Sequence, residues 1–393
     1  MNKHFISILL IAFFFTISPV FGITFEASES NQSVFEHNTS LPDNSSTRNW
    51  GIDHFQVYWS NQVFRFASYL DQKLSLFGDE DNISTLDTNT IQQLTDHSDL
   101  INIPAHYSIA NINQKNAKET YLTSIWIDVF YKDENYLDTI NRSYVLVRGG
   151  YEYDKLGDSS IFYNVKARIR LPKTEGKLQL YIGENTQEST MLSYIQESSN
   201  NAGIGLKYYM PALFEDLYTN ASVGFSSINN PYAKVHIKYP IFQWNWLFKP
   251  EENFKYSLKN EFEEWTDLYF DRKLSDSEMV RLLLQRSTKS GIRGMDYFAQ
   301  FSYMNTLKNE IGFNHYIAMS GRIKDLTGMV YADGTTPQEG IYEYSAGTIW
   351  RQKVLHDYLF YQLQPIITFH EQYNFKPDYI FRFSLDFYFG NNR

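Results

Sequence analysis

From Ser143 to the end of the chain, apolar and polar positions alternate with a period of two. Ile161, Tyr163, Val165, Ala167, Ile169 and Leu171 alternate with Phe162, Asn164, Lys166, Arg168 and Arg170, and Val235, Ile237 and Tyr239 with Lys234, His236 and Lys238. The clearest case comes last, with Phe381, Phe383, Leu385, Phe387 and Phe389 set against Arg382, Ser384, Asp386 and Tyr388. Successive side chains of a strand point to opposite faces, so each segment has one apolar and one polar side. Such segments fall at 143–154, 160–171, 177–184, 202–210, 217–226, 232–240, 245–257, 261–273, 278–288, 294–304, 308–320, 341–352, 357–370 and 378–389. They predict a sheet of about 14 strands, within a range of about 12–16.

Ahead of the strands the period changes. Phe55, Trp59, Val63, Phe66, Leu70, Leu74 and Phe77 recur at spacings of three and four, which is one face of an α-helix. Asp53 is positioned to cap its start and Gly78 to end it. Such a helix could plug a lumen, lie across its mouth or rest on a membrane surface. Residues 23–48 are rich in Ser, Asn, Thr and Glu and predict a flexible leader. Residues 49–142 are expected to form a helical and irregular segment, a plug or a rim, in which Tyr121 to Tyr131 looks strand-like. The barrel proper is expected over 143–393.

The first residues bear on compartment. Met1-Asn2-Lys3-His4 precedes an apolar run from Phe5 to Phe15, followed by Ser18-Pro19-Val20-Phe21-Gly22. That is the layout of a secretory signal peptide over 1–22, cleaved after Gly22. Later in the chain no apolar stretch approaches the length of about 20 residues that a spanning helix needs. Only helices and closed barrels satisfy every backbone group in lipid, so a membrane protein with this pattern is a barrel.

Composition strengthens this expectation. Tyr and Phe occur 30 times each and Trp 7 times, yet mean hydropathy is −0.42. Abundant rings with a hydrophilic average suit strands that turn one face to lipid and one to water, with rings at both interfaces. A soluble sandwich rich in Tyr is the alternative. Cysteine is absent, which excludes disulfides, thiolate metal sites and a Cys nucleophile. A net charge of −10 argues against nucleic acid as a partner.

Several stretches resemble a group of uncharacterised Gram-negative outer-membrane proteins with a signal peptide, a short helical segment and a barrel. They are Ala167-Arg168-Ile169-Arg170-Leu171-Pro172-Lys173 with Leu178 to Glu184, Tyr69-Leu70-Asp71 with Phe77 to Glu80, Trp246 to Pro250, and Tyr358 to Gln362. The resemblance covers 50–80 and 143–390 and implies an outer-membrane location, with outer-membrane lipid, lipopolysaccharide and the barrel-assembly machinery as partners. It carries no activity. The 83–142 region is longer than in that pattern, and the chain continues four residues past Phe389, where such barrels usually finish on an aromatic residue.

Alternation also nominates lumen-lining groups. Lys166, Arg168, Arg170, Lys207, Lys234, His236 and Lys238 fall on the inward face of early strands; Glu261, Glu263, Glu343, Arg351, Arg382 and Asp386 do so on later ones. A cationic arc facing an acidic one would orient polar solutes; alternatively the groups pair with one another and fill the barrel. Asp96-His97-Ser98 contains triad residue types, but neighbours in sequence cannot form the relay. Asp79-Glu80-Asp81 lacks the calcium-loop pattern. No cofactor or metal site is expected. The sequence therefore points to passive passage of small polar solutes, with a filled structural or assembly barrel and a lipid-acting enzyme as the alternatives.

Overall fold

A computed structural model describes residues 50–74, 123–124 and 130–131 and, from 143 onward, all but 158, 172–176, 186–201, 211–216, 228, 291–293, 308–310, 325–338, 355 and 391–393. The signal peptide, the leader, Gly78, the Asp79 turn and the Asp96-His97-Ser98 triplet lie outside the described residues.

The chain forms helix α1 (Trp50–Leu74) and strands β1 (Tyr144–Asp154), β2 (Ser160–Leu171), β3 (Leu178–Asn185), β4 (Ala202–Tyr209), β5 (Tyr218–Ser227), β6 (Asn230–Lys238), β7 (Ile241–Gln243), β8 (Trp246–Ser257), β9 (Glu261–Ser275), β10 (Glu278–Lys289), β11 (Gly294–Leu307), β12 (Ile311–Lys324), β13 (Gly340–Val354), β14 (His356–His370) and β15 (Pro377–Gly390). Consecutive strands pair antiparallel, and β1 closes onto β15 with Tyr144 opposite Gly390. The short β7 continues β6 past Tyr239-Pro240, since β8 pairs with both. The result is a closed antiparallel barrel of 14 strands with the architecture of an outer-membrane β-barrel.

The end where β1 begins and β15 finishes is called the near end. The two longest connections between strands, those after β3 and after β12, leave strands that finish at the far end. At the near end β7 and β8 join through Trp244 and Asn245, both left-handed at φ 52° and 62°, as a two-residue hairpin requires.

Register fixes the faces. In β15, Asp378, Ile380, Arg382, Ser384, Asp386 and Tyr388 are buried inside, while Tyr379, Phe381 and Leu385 are exposed outside. The outer wall carries exposed rings toward both ends. Tyr151, Tyr163, Tyr256, Tyr344 and Tyr379 mark the far end, and Tyr208, Tyr239 and Trp244 the near end. Aromatic girdles of this kind flank the apolar band of transmembrane barrels. No described helix is long and apolar enough to cross a membrane.

Two local expectations are corrected, and two prolines sit inside strands without breaking them. Asp53 lies inside α1 rather than at its cap, because the helix starts at Trp50. Pro365 causes no bulge: β14 keeps one register against β13 on both sides of it and stays in register with β15. Its ring nitrogen faces β13, where pairing lapses opposite Thr348 and Ile349, so the lost donor costs a local gap and not a slip. Pro250 sits within β8 and not at its end; its carbonyl accepts from Tyr239 N–H, so its missing donor faces the break between β6 and β7. In the stretch expected to be strand-like, the described residues Thr123, Ser124, Phe130 and Tyr131 are helical.

Helix α1 lies against the outside of the wall at the near end. Phe55 meets Phe389 with ring centroids 5.9 Å apart, and Gly390 N–H donates to Ser60 Oγ at 2.9 Å. Further along, Ala67, Phe66 and Leu70 pack on Ile169, Leu171, Leu178 and Leu180. The sequence stripe Phe55, Trp59, Val63, Phe66 and Leu70 is thus the half-buried face.

Candidate functional site: the barrel lumen

Every nominated cation on the early strands faces inward. Lys166 and Arg168 stand opposite the inward Leu146 and Tyr144, Arg170 and Lys207 opposite Gln179, and Lys234, His236 and Lys238 opposite Ser222, Asn220 and Tyr218. Strands β2, β4, β5 and β6 contain no Asp or Glu. Three of these cations lie over rings: Arg170 Cζ is 5.6 Å from the centroid of Tyr209, Lys207 Nζ 5.6 Å from Tyr181, and Lys234 Nζ 4.7 Å from Trp265. A quadrupole under each cation offsets part of its lost hydration.

The other arc carries the acids. Glu251, Asp267, Asp271, Glu343, Asp378 and Asp386 are buried on inward positions of β8, β9, β13 and β15. Glu263 also points inward, whereas Glu261 is exposed at the far rim with φ 53° and lines no lumen; the turn from β8 takes it out of the alternation.

Three carboxylates organise the arc. Asp386 accepts from Arg148 Nε at 2.6 Å and Nη2 at 2.9 Å, and from Arg351 Nη1 at 2.5 Å. Asp271 accepts from Arg281 Nε at 2.7 Å and from Lys249 and Ser124 Oγ, the last at 2.7 Å. Glu251 sits 3.1 Å from His236 Nε2 and 3.4 Å from Lys238 Nζ. Arg382 pairs with Glu152 of β1, and Lys255 with Glu263 at 2.9 Å. Burying a charge is costly unless it is paired and hydrogen-bonded. Asp386, Asp271 and Glu251 each hold two basic partners.

The lumen is not uniformly polar. Tyr269, Met279, Leu283, Phe298, Met304, Tyr316 and Ile349 form an inward apolar sector, and Phe130 and Tyr131 occupy it. A Cβ at Gly312 would come within 2.3 Å of Phe130 Cε1 and 2.6 Å of Tyr131 Oη, so only glycine leaves room for these rings. The Tyr131 hydroxyl donates to the Asn305 carbonyl at 3.1 Å. Burial pushes this phenol above its ordinary range despite Arg351, so it remains a neutral donor. Ser124 reaches the Asp271 cluster, with Lys249 Nζ donating to it at 2.9 Å. Part of the 49–142 segment therefore enters the barrel while α1 stays outside.

Sequence reasoning missed Arg148, Lys249, Asp271, Arg281 and the occupants Ser124, Phe130 and Tyr131. Alternation in β1 would have placed Arg148, and alternation in β8–β10 would have placed Lys249, Asp271 and Arg281. Nothing local marks a ring at 130 as the partner of a glycine at 312. Of the scattered histidines, His236 joins Glu251, and His315 lies on the outer face with Nδ1 2.9 Å from Thr348 Oγ1. No described cluster of His, Asp and Glu could hold a metal ion.

No known family model matches the sequence, and no curated protein matches it. Among solved structures, the chain is similar to the KdgM porin in complex with disordered oligogalacturonate, at 10% identity over 62% of this chain and 98% of that one, TM-score 0.28. It is also similar to outer-membrane expressed OmpT of Vibrio cholerae, at 9% identity over 63% and 97%, TM-score 0.37. A third is OprB of Pseudomonas putida, at 8% identity over 67% and 97%, TM-score 0.41. Likenesses of this extent carry no statement about what those barrels and this one share in activity.

Proposed function

We propose that the protein is a channel of the cell outer membrane for small polar solutes, with a preference for anions, whose lumen is occupied toward its near end by Phe130 and Tyr131. The observation that carries it is the one-sided wall: Lys166, Arg168, Arg170, Lys207 and Lys234 point inward from β2, β4 and β6, none of which holds a carboxylate. The far end, where the strands before the two longest connections finish, faces outside the cell and its lipopolysaccharide, because outer-membrane barrels carry short periplasmic turns and longer outer loops. Insertion by the barrel-assembly machinery goes with this placement.

Reversal potential in planar bilayers tests the proposal. The wild type should favour anions at low salt, and the preference should fade as the screening length falls from about 10 Å at 0.1 M to about 3 Å at 1 M. Arg168→Glu with Arg170→Glu should shift selectivity toward cations. A stably folded double variant with no current at any salt would end the channel reading.

The burial of Arg351, Asp386, Lys249 and Asp271, none more than 1% exposed, favours a second reading, a filled structural barrel. In that case the same double change destabilises the protein, seen as lower heat-modified gel mobility, and no selectivity appears.

A further inference from the structure

The near-end aromatic girdle has a gap, and α1 lies over it. Outward positions toward the near end carry Tyr208 on β4, Trp246 and Phe248 on β8, Phe270 on β9, Tyr303 on β11, Phe313 on β12, Trp350 on β13, Tyr361 on β14 and Phe387 on β15. The rings pack in cross-strand pairs, with Phe248 and Phe270 centroids 4.8 Å apart and Phe313 and Trp350 5.7 Å apart. On β1, β2 and β3 the same outward positions are aliphatic: Val145 and Val147, Ala167, Ile169 and Leu171, Leu178, Leu180 and Ile182. No other run of three adjacent strands lacks near-end rings among the described residues.

The helix crosses this sector. Ser60 is fixed to Gly390 on β15, and Leu70 packs beside Leu178 and Leu180 on β3. Ten helical residues rise about 15 Å, and three strand spacings span about 14 Å, so α1 runs across the strands around the rim. One face is seated on the wall. The opposite face presents Val57, Tyr58, Phe64 and Tyr69, with Val57 and Tyr58 more than half exposed. Between Phe55 and Leu70 the one ionised side chain is Arg65, also on the exposed face.

We propose that this face is a lipid-binding surface: α1 lies in the head-group layer of the near-end leaflet and supplies the sector of girdle missing from β1–β3. The occupant is phospholipid, with Tyr58 and Phe64 at the boundary of head groups and chains and Arg65 on a lipid phosphate. Continuity argues for it, since α1 covers outward residues that would otherwise meet lipid and its exposed rings extend the belt on either side. Tyr58 and Tyr69 pair an apolar ring with a polar tip, which suits the boundary of head groups and chains, and between Phe55 and Leu70 there is no acid to repel lipid phosphate. A second copy of the chain is the competing occupant. The inference rests on the barrel being inserted in a membrane, and its test separates the two.

The chain has no cysteine, so single cysteines can carry a fluorophore at Tyr58, Phe64, Ser60 or Leu385. Each variant is refolded into phosphatidylethanolamine–phosphatidylglycerol vesicles bearing spin labels at head-group or mid-chain depth. Probes at 58 and 64 should be quenched at least twofold more by head-group than by mid-chain labels. The probe at Ser60, against the wall, should be quenched little, and that at Leu385 mainly by mid-chain labels. Arg65→Glu should weaken quenching at 64. If probes at 58 and 64 escape both labels while Leu385 is quenched, the lipid surface is refuted and insertion stands. Crosslinking of Phe64→Cys between two copies, with unquenched probes, would likewise refute it in favour of the second copy. Loss of quenching at Leu385 would overturn the membrane reading itself.

Discussion

Arg148 and Asp386, 238 positions apart, meet with Nε 2.6 Å from Oδ1 across the seam where the first strand closes on the last. The pair is buried, and Arg351 shares the same carboxylate from two strands away. Removing one partner of a buried ion pair leaves an uncompensated charge and costs about 3–5 kcal/mol. Asp386→Ala leaves two guanidiniums without their acid, so its loss should reach at least that range. Arg148→Met leaves Arg351 on Asp386 and should cost less. Urea unfolding of the refolded barrel in vesicles measures both; equal and small losses would show that the seam is held by backbone pairing alone.

A second outcome follows from the faces of β15. Leu385 points out of the wall and is 37% exposed, while Ser384 points in and is 1% exposed. Leu385→Arg puts a cation on the lipid face and should cost about 2–4 kcal/mol if near the bilayer midplane. Ser384→Leu adds bulk to the packed interior and should cost about 1–3 kcal/mol. A neutral result for Leu385→Arg would place this part of β15 outside the hydrocarbon layer.

The Asp271 cluster supplies a contrast within one site. Asp271→Ala strands Lys249 and Arg281, which are 0% and 3% exposed, and should again cost about 3–5 kcal/mol. Ser124→Ala removes one hydroxyl from a carboxylate that keeps both basic partners, and should cost about 1.5–3 kcal/mol or less. Comparable losses for the two would mean that Ser124 anchors the 123–131 segment, so that its removal releases more than one bond.

Strand positions were legible because the period of two is a backbone property, repeated in every stave and independent of what a side chain touches. The expected segment 160–171 and β2 coincide, and 378–389 differs from β15 by one residue at each end. Faces followed from the same alternation, which is why Arg382 and Asp386 fall inside. Exceptions arise where local chemistry overrides the period. Pro240 interrupts one stave so that β6 and β7 register separately on β8, and the left-handed Glu261 leaves the alternation. Partners were not legible. Which of Arg148, Arg351 and Arg382 meets Asp386 depends on shear and strand order, and both are global. The fit of Phe130 and Tyr131 to Gly312 is further still from any local signal, since it joins two helical residues to a strand more than 180 positions away.

That fit gives the sharpest test of whether the lumen can open. A Cβ at 312 would overlap Phe130 and Tyr131 rather than backbone, so Gly312→Leu puts its bulk where the two rings now lie. The substitution itself sits on an inward strand position and leaves the ladder of β12 with β11 and β13 intact. The rings are then displaced, losing about 1.5–3 kcal/mol of burial each, and Tyr131 gives up its bond to the Asn305 carbonyl. Asp271 keeps Lys249 and Arg281 whether or not Ser124 remains, so no buried acid is orphaned by the move. If the occupied lumen is a closed channel, Gly312→Leu should fold, keep its heat-modified mobility and raise single-channel conductance above wild type. The double change Phe130→Ala with Tyr131→Ala should do the same without added bulk. If both variants fold and neither conducts more than wild type, the described residues of this segment do not block the passage. If both lose the folded barrel, Phe130 and Tyr131 belong to its core, and the filled structural reading gains.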